Sequence, residues 1–189
     1  MSRLSTLDAK SCLLRLLLSA SLLAGVASCK SESSESIPAN RLASNDFEAV
    51  EGWGVNSSSI TTAKAHSGRY SVKVDKESEF SVGYRNTLLR MSNTKISKLH
   101  VHGWALMTGA KAKAVIVVQI SEPGKPGPPT YWQALDIKGE LKTLNHWTEI
   151  EKNFDLPANL APNQEIQVYM WRTSPDDATY LDDLELTKG

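Results

Sequence analysis

Downstream of position 29 this chain has no cysteine; its two, Cys12 and Cys29, both fall in the opening segment. The remainder can form no internal disulfide, no catalytic thiolate and no sulfur-ligated metal centre. Charge of one sign is missing as well: 21 Lys and Arg stand against 21 Asp and Glu. That balance offers no basic face of the kind a nucleic-acid partner requires. No apolar run approaches the roughly 20 residues that cross a bilayer as a helix. The longest, Leu16 to Val26, is too short. Also lacking are an internal repeat, a convincing helical periodicity, a Ser/His/Asp order and a phosphate-cradling glycine loop.

The opening segment is a targeting signal. Arg3, Lys10 and Arg15 precede the apolar run, and small residues close it. Val26-Ala27-Ser28-Cys29 resembles the lipobox of bacterial lipoproteins, whose cysteine is linked to diacylglycerol before cleavage. The expectation is a signal peptide over residues 1–28 and a lipidated Cys29 that anchors the protein to the membrane; an ordinary secretory peptide ending near a cysteine is the alternative. Residues 29–45 are dominated by Ser, Glu, Lys and Asn and read as a solvated tether. Lys30, Glu32 and Glu35 loosely resemble the export signal of Bacteroidetes surface lipoproteins. The expected location is the outer membrane, facing the cell surface, with the periplasmic side as the alternative.

From Asp46 the pattern becomes short alternating segments, interrupted by Gly, Pro, Asn and Ser about every ten residues. The clearest run over Tyr70–Val74, Glu79–Arg85, Leu99–Met107, Ala114–Ile120, Tyr131–Ile137, Trp147–Phe154, Ile166–Arg172 and Tyr180–Leu186. Eight to ten strands without a helix make residues 46–189 an all-β domain, a two-sheet antiparallel β-sandwich. Glu122–Thr130 carries four prolines and reads as a stiff exposed connection.

Phe47-Glu48, Gly52-Trp53, His66-Ser67-Gly68-Arg69-Tyr70-Ser71-Val72-Lys73-Val74, Trp147-Thr148 and Tyr180-Leu181-Asp182-Asp183-Leu184-Glu185-Leu186 follow one another in an order that resembles the galactose-binding-like jelly rolls. In particular they resemble carbohydrate-binding modules of the CenC type, over about residues 46–187. The resemblance implies a jelly-roll sandwich in which the strands containing Phe80, Ala114–Ile120, Trp132 and Tyr169 form one concave sheet. It also implies that Trp53, Trp104 and Trp147 are packing residues.

Alternation along strands assigns faces. Ile166, Val168 and Met170 share the inward face, which leaves Gln167, Tyr169 and Trp171 outward. Leu135 and Ile137 share parity with Gln133, so Trp132, Ala134 and Asp136 take the other side. Phe80, Val82 and Tyr84 read as inward, and Ser81, Gly83 and Arg85 as outward. Exposed rings suit sugars, whose C–H faces stack on aromatics while their hydroxyls bond to polar neighbours. Trp132, Tyr169 and Trp171 are the candidate stacking residues, and Arg85, Gln119, Gln133, Gln167 and Arg172 the candidate hydrogen-bonding ones. Two other readings stay open: rings covered by the proline-rich loop, and a protein-facing patch. The functional expectation is a non-catalytic, lipid-anchored protein binding a polysaccharide or glycan. The alternative is a structural or interaction module with envelope protein partners in a surface or adhesion complex.

Parity with Leu184 and Leu186 places Asp182 on the core side, where a carboxylate needs a partner. The family resemblance implies a structural calcium held by Asp182, Glu48 and backbone carbonyls around Ser67-Gly68. The alternative is a metal-free Asp182 accepting backbone N–H bonds. His100 and His102 share a strand face but lack a visible third ligand for zinc. Glu149 and Glu151 have the spacing of a paired acid and base, but on a strand expected in the other sheet, and Asp176-Asp177 reads as turn chemistry. No catalytic residue is assigned.

Overall fold

The computed structural model describes residues 38–49, 53–54, 57–174 and 177–189. The signal segment, Cys29, the tether up to residue 37, Gly52 and Asp176 lie outside the described residues. Ten strands form the described architecture: β1 Arg41–Asn45, β2 Ile60–Thr61, β3 Ser71–Val74, β4 Tyr84–Thr87, β5 Lys98–Met107, β6 Ala114–Ser121, β7 Tyr131–Asp136, β8 Thr148–Asp155, β9 Glu165–Arg172 and β10 Thr179–Lys188. A six-stranded sheet runs β2-β3-β10-β5-β8, with β1 also paired to β10; the second sheet runs β4-β9-β6-β7. Every pairing is antiparallel. The fold is the expected jelly-roll β-sandwich.

The core lies between the sheets and follows the period-two pattern. From the first sheet it takes Leu99, Val101, Ala105 and Met107 of β5, Ile150 and Phe154 of β8, and Leu181, Leu184 and Leu186 of β10. Facing them are Ile116, Val118 and Ile120 of β6 and Ile166, Val168 and Met170 of β9, all with no exposed surface. Burying each such side chain contributes about 1.5–3 kcal/mol relative to leaving it in water. A register slip of one residue on β6 or β9 would turn the whole row outward, so this core fixes what the opposite face presents.

The sequence reading is revised at β1, at the end of β7 and within β10, and the strand read over Glu79–Arg85 is found as β4, Tyr84–Thr87. Residues 41–45, read as the end of the tether, form β1. Beyond its midpoint β10 has an edge that β3 does not reach, and β1 fills it with Arg41 opposite Thr187 and Asn45 opposite Leu184. Asn40 Nδ2 donates to the Lys188 carbonyl at 3.1 Å, and Arg41 Nε meets Glu185 at 2.6 Å. Backbone pairing supplies what this short polar segment lacks in apolar pattern.

Ile137 ends no strand. It opens a single helical turn, α2 (Ile137–Glu140), because Asp136 caps it by accepting the Lys138 N–H. A similar turn, α1 (Leu88–Met91), is capped by Thr87. The third departure is a β-bulge in β10. Asp182 pairs with Trp104 and Glu185 with His102, so Asp183 and Leu184 together oppose Gly103. Asp183 takes the left-handed region, φ 48°, which Asp tolerates better than most residues.

If β1 is part of the domain, a chain beginning at Asp46 should melt at least about 5 °C below one beginning at Pro38. Equal melting temperatures would return residues 41–45 to the tether.

Candidate functional site

The four-stranded sheet turns its second face away from the core, and strand register lines up the side chains across it. Arg85 on β4 lies opposite Gln167 on β9, Gln167 opposite Gln119 on β6, and Gln119 opposite Trp132 on β7. The next row holds Tyr169, Val117 and Ala134, and the one beyond it Trp171, Val115 and Asp136. Six of the eight residues singled out as ligand-binding candidates, Trp132, Tyr169, Trp171, Arg85, Gln119 and Gln167, therefore share one face; Gln133, opposite Val118, and Arg172, opposite Ala114, fall at the other parity and do not join it. Trp132 and Trp171 sit two strands and four residues apart, about 16 Å along the diagonal from ordinary strand spacings.

A polar relay fixes the middle of this face. The Tyr169 hydroxyl donates to Gln119 Oε1 at 3.1 Å, and Gln119 Nε2 donates to Gln167 Oε1 at 3.2 Å. Burial pushes the Tyr169 hydroxyl up, keeping it a neutral donor. Arg85 is held by Glu165 through Nε at 3.2 Å and a terminal nitrogen at 2.6 Å. The Trp171 indole N–H donates to Glu79 at 3.2 Å, which sets the plane of the ring.

The face holds a fourth ring, and here the sequence reading is corrected. Phe80, assigned inward, lies outward, stacked on Trp171 (centroids 6.2 Å, planes 16° apart) and edge-on to Tyr169 at 5.9 Å. The cause is Ser81. Its N–H donates to the Met170 carbonyl, while its hydroxyl oxygen accepts the Met170 N–H at 3.0 Å. A side chain thus replaces a backbone partner, and Phe80 meets Trp171 only through an isolated bridge. Alternation is broken: Ser81 is buried, and Val82 and Tyr84 turn inward as expected. Gly83 permits the close approach, because a Cβ there would lie 2.6 Å from Tyr169 Cβ. Phe80 is the member of this face that alternation placed on the wrong side; Glu79 and Glu165 have the outward parity and join the face through Trp171 and Arg85.

Trp132 is 47% and Phe80 42% exposed. Rings sealed under a loop would not leave that much surface in water, and the proline-rich segment from Glu122 to Gly127 is itself exposed. The face is a flat apolar patch with a line of neutral amides through it and paired charges at its margin. Chemically it can stack a ring and bond hydroxyls.

The residues expected to hold calcium lie on the other sheet. Asp182 is fully buried, yet on the side away from the core, because the bulge at Asp183 reverses the parity between Leu181 and Leu184. It accepts the N–H groups of His66 at 2.7 Å, Ser67 at 3.2 Å and Asp183 at 2.8 Å. Glu48 Oε1 accepts Arg69 N and Tyr70 N, both at 2.6 Å. Two carboxylates thus clamp one turn through its amides. Gly68 in that turn has φ 54°, and a Cβ there would stand 2.4 Å from Glu48 Oε1. The turn presents N–H groups to Glu48 and Asp182. The bonds found here are those of the hydrogen-bonded alternative.

His66 completes the clamp. It stacks on Trp104 at 3.9 Å, meets Trp147 edge-on at 5.8 Å, and its Nδ1 lies 2.6 Å from Asp183 Oδ2. Trp104 and Trp147 therefore pack as the family resemblance implied, and Trp53 does so against Phe47 and Tyr84. His102 pairs with Glu149 at 2.7 Å, and His100 faces Glu151 at 3.5 Å. Each imidazole has its own carboxylate from β8, and all four groups lie on the sheet that lacks the four-ring face.

Residues 39–178 match the family model described as carbohydrate binding domain. No curated protein matches the chain. Among solved structures, the CBM22-2 xylan-binding domain of Paenibacillus barcinonensis Xyn10C is similar at 18% identity, covering 78% of this chain and 99% of that one, with a TM-score of 0.53. The CBM22-1 xylan-binding domain of the same protein has 16% identity over 79% and 94% of the two chains, with a TM-score of 0.51. The C-terminal family 22 module of Clostridium thermocellum Xyn10B has 12% identity, coverage of 79% and 93%, and a TM-score of 0.53. At such identities these likenesses establish the fold.

Burial pushes the Asp182 carboxyl up to about 6; the Asp183 carboxylate pushes the same way, and the N–H bonds from His66, Asp183 and Ser67 pull back. The folded state then holds a proton that the unfolded chain has released, so this group lowers stability as pH rises from about 4 to 6. Subtracting the urea-unfolding free energies of Asp182→Asn from wild type at each pH should give that negative slope. A flat difference would mean that Asp182 titrates normally. Repeated after chelation, the wild-type midpoint should not move; a drop that Asp182→Asn abolishes would restore calcium.

Proposed function

The chain belongs to the carbohydrate binding domain family, and from that premise we propose that it is a lipid-anchored envelope protein that holds a polysaccharide on the outer face of β4-β9-β6-β7. The observation that carries this reading is the gathering of Phe80, Trp132, Tyr169 and Trp171 on one open face, joined by the Gln119–Gln167 relay. Carbohydrate-binding modules of this kind are non-catalytic, and the described carboxylates support the same role here. Glu79 and Glu165 are each engaged with a side chain of the face, while Glu149 and Glu151 lie on the other sheet.

Sugar rings stack on the four aromatics, and the free hydrogen-bonding positions of Gln119 and Gln167 orient their hydroxyls. Rows spread over about 16 Å favour a chain of sugars over a single one. Xylan, bound by the similar Paenibacillus domains, is the first polymer to try. Mooring through Cys29 and residues 30–40 would keep this face at the envelope, on the cell surface or facing the periplasm.

Titration calorimetry with xylo-oligosaccharides and other β-linked glycans tests the reading. A tetrasaccharide should bind more tightly than a disaccharide. Trp132→Ala and Trp171→Ala should each weaken binding about tenfold, or about 1.4 kcal/mol, at unchanged melting temperature. Undiminished affinity in both variants would move the site elsewhere; no binding to any glycan would favour a protein-interaction role. Labelled palmitate should enter the wild-type protein and not Cys29→Ser, and equal labelling would remove the anchor.

A further inference from the structure

A cavity lies away from the four-ring face, where β1 meets the bulge of β10. Its volume is about 430 Å³, within the range of small-molecule pockets, and Arg41, Asn45, Asp46, Trp53, Asp183 and Glu185 line it. Asn45 is the informative residue. It is only 7% exposed, and its Oδ1 accepts the Phe47 N–H at 2.7 Å, which fixes the other end of the amide as nitrogen. That Nδ2 is buried and has no hydrogen-bond partner. An unsatisfied buried donor costs about 1–3 kcal/mol, and folded proteins seldom leave one without an incoming oxygen.

The remaining walls limit what that oxygen belongs to. Three carboxylates border the cavity, each pinned by another group. Asp46 accepts the Glu48 N–H at 3.1 Å, Asp183 is held by Ser67 Oγ and His66 Nδ1, both at 2.6 Å, and Glu185 by Arg41 Nε at 2.6 Å. Pinned acceptors lose little entropy when they take a ligand donor. Trp53 forms an apolar wall, its ring fixed edge-on against Phe47 at 6.0 Å and Tyr84 at 5.4 Å. A divalent cation does not suit the site, since an amide donor would face it and the acids form no metal cluster among the described residues. A small ring bearing several hydroxyls does suit it: hydroxyl oxygens for Asn45, hydroxyl protons for the acids, a C–H face for Trp53.

We propose that this cavity is a second carbohydrate site, taking a single sugar residue, built by Asn45 and Trp53 with Asp46, Asp183 and Glu185 as acceptors. It deepens the carbohydrate-binding reading and is independent of the four-ring face. The test is amide and indole NMR of the ¹⁵N-labelled chain, titrated to high millimolar concentration with free xylose, glucose, galactose, mannose and N-acetylglucosamine in turn. At least one sugar should shift the Asn45 side-chain amide and the Trp53 indole N–H saturably. The midpoint should be unchanged in a Trp132→Ala/Trp171→Ala double variant. It should weaken at least tenfold in Ala49→Trp, which fills the cavity from an exposed position and leaves Asn45 in place. Asn45 and Trp53 signals that stay still for every sugar, or shifts that survive Ala49→Trp, would overturn the proposal. Trp132 and Trp171 indole signals report the four-ring face separately, so failure of either site is read without reference to the other.

Discussion

The burial of one face of β6 and β9 governs most of what this domain presents to its surroundings. Ile116, Val118, Ile120, Ile166, Val168 and Met170 have no surface left in water, and a one-residue slip of either strand would expose a row of them at several kcal/mol. With that register locked, Gln119, Gln167, Tyr169 and Trp171 have only the opposite face available. Neighbouring strands inherit the alignment, which is why Arg85 and Trp132 fall at the two ends of the same cross-strand row. A core selected for packing thus sets the positions of side chains that never touch it.

Alternation made this face legible in the sequence wherever strands are regular. Along β9 each assignment matches the burial observed, because nothing interrupts the backbone ladder, and along β7 every one but Gln133, which is exposed despite its core-side parity. It failed where a side chain or a bulge intervenes. Ser81 substitutes its hydroxyl for a backbone acceptor and rotates Phe80 outward; Asp183 in the left-handed region inserts a residue and sends Asp182 to the outer side. Neither event leaves a mark in hydropathy. β1 was invisible for another reason, since its place depends on an edge of β10 more than a hundred residues away.

The family resemblance carried the fold and the packing roles of Trp53, Trp104 and Trp147. Glu48 and Asp182 do meet the Ser67-Gly68 turn, as a calcium-holding pair would, but they meet its amide hydrogens. Function follows a similar division. The sandwich positions an aromatic face on one sheet and a set of His–carboxylate pairs and packed rings on the other, and the two most exposed rings among the described residues, Trp132 and Phe80, lie on the first.

The most direct measurement is a crystal structure of the domain with a bound oligosaccharide. Sugar rings should lie against Trp132, Tyr169, Trp171 and Phe80, with hydroxyls bonded to Gln119 and Gln167. Ligand density confined to the six-stranded sheet, with these four rings bare, would contradict the assignment of the binding face.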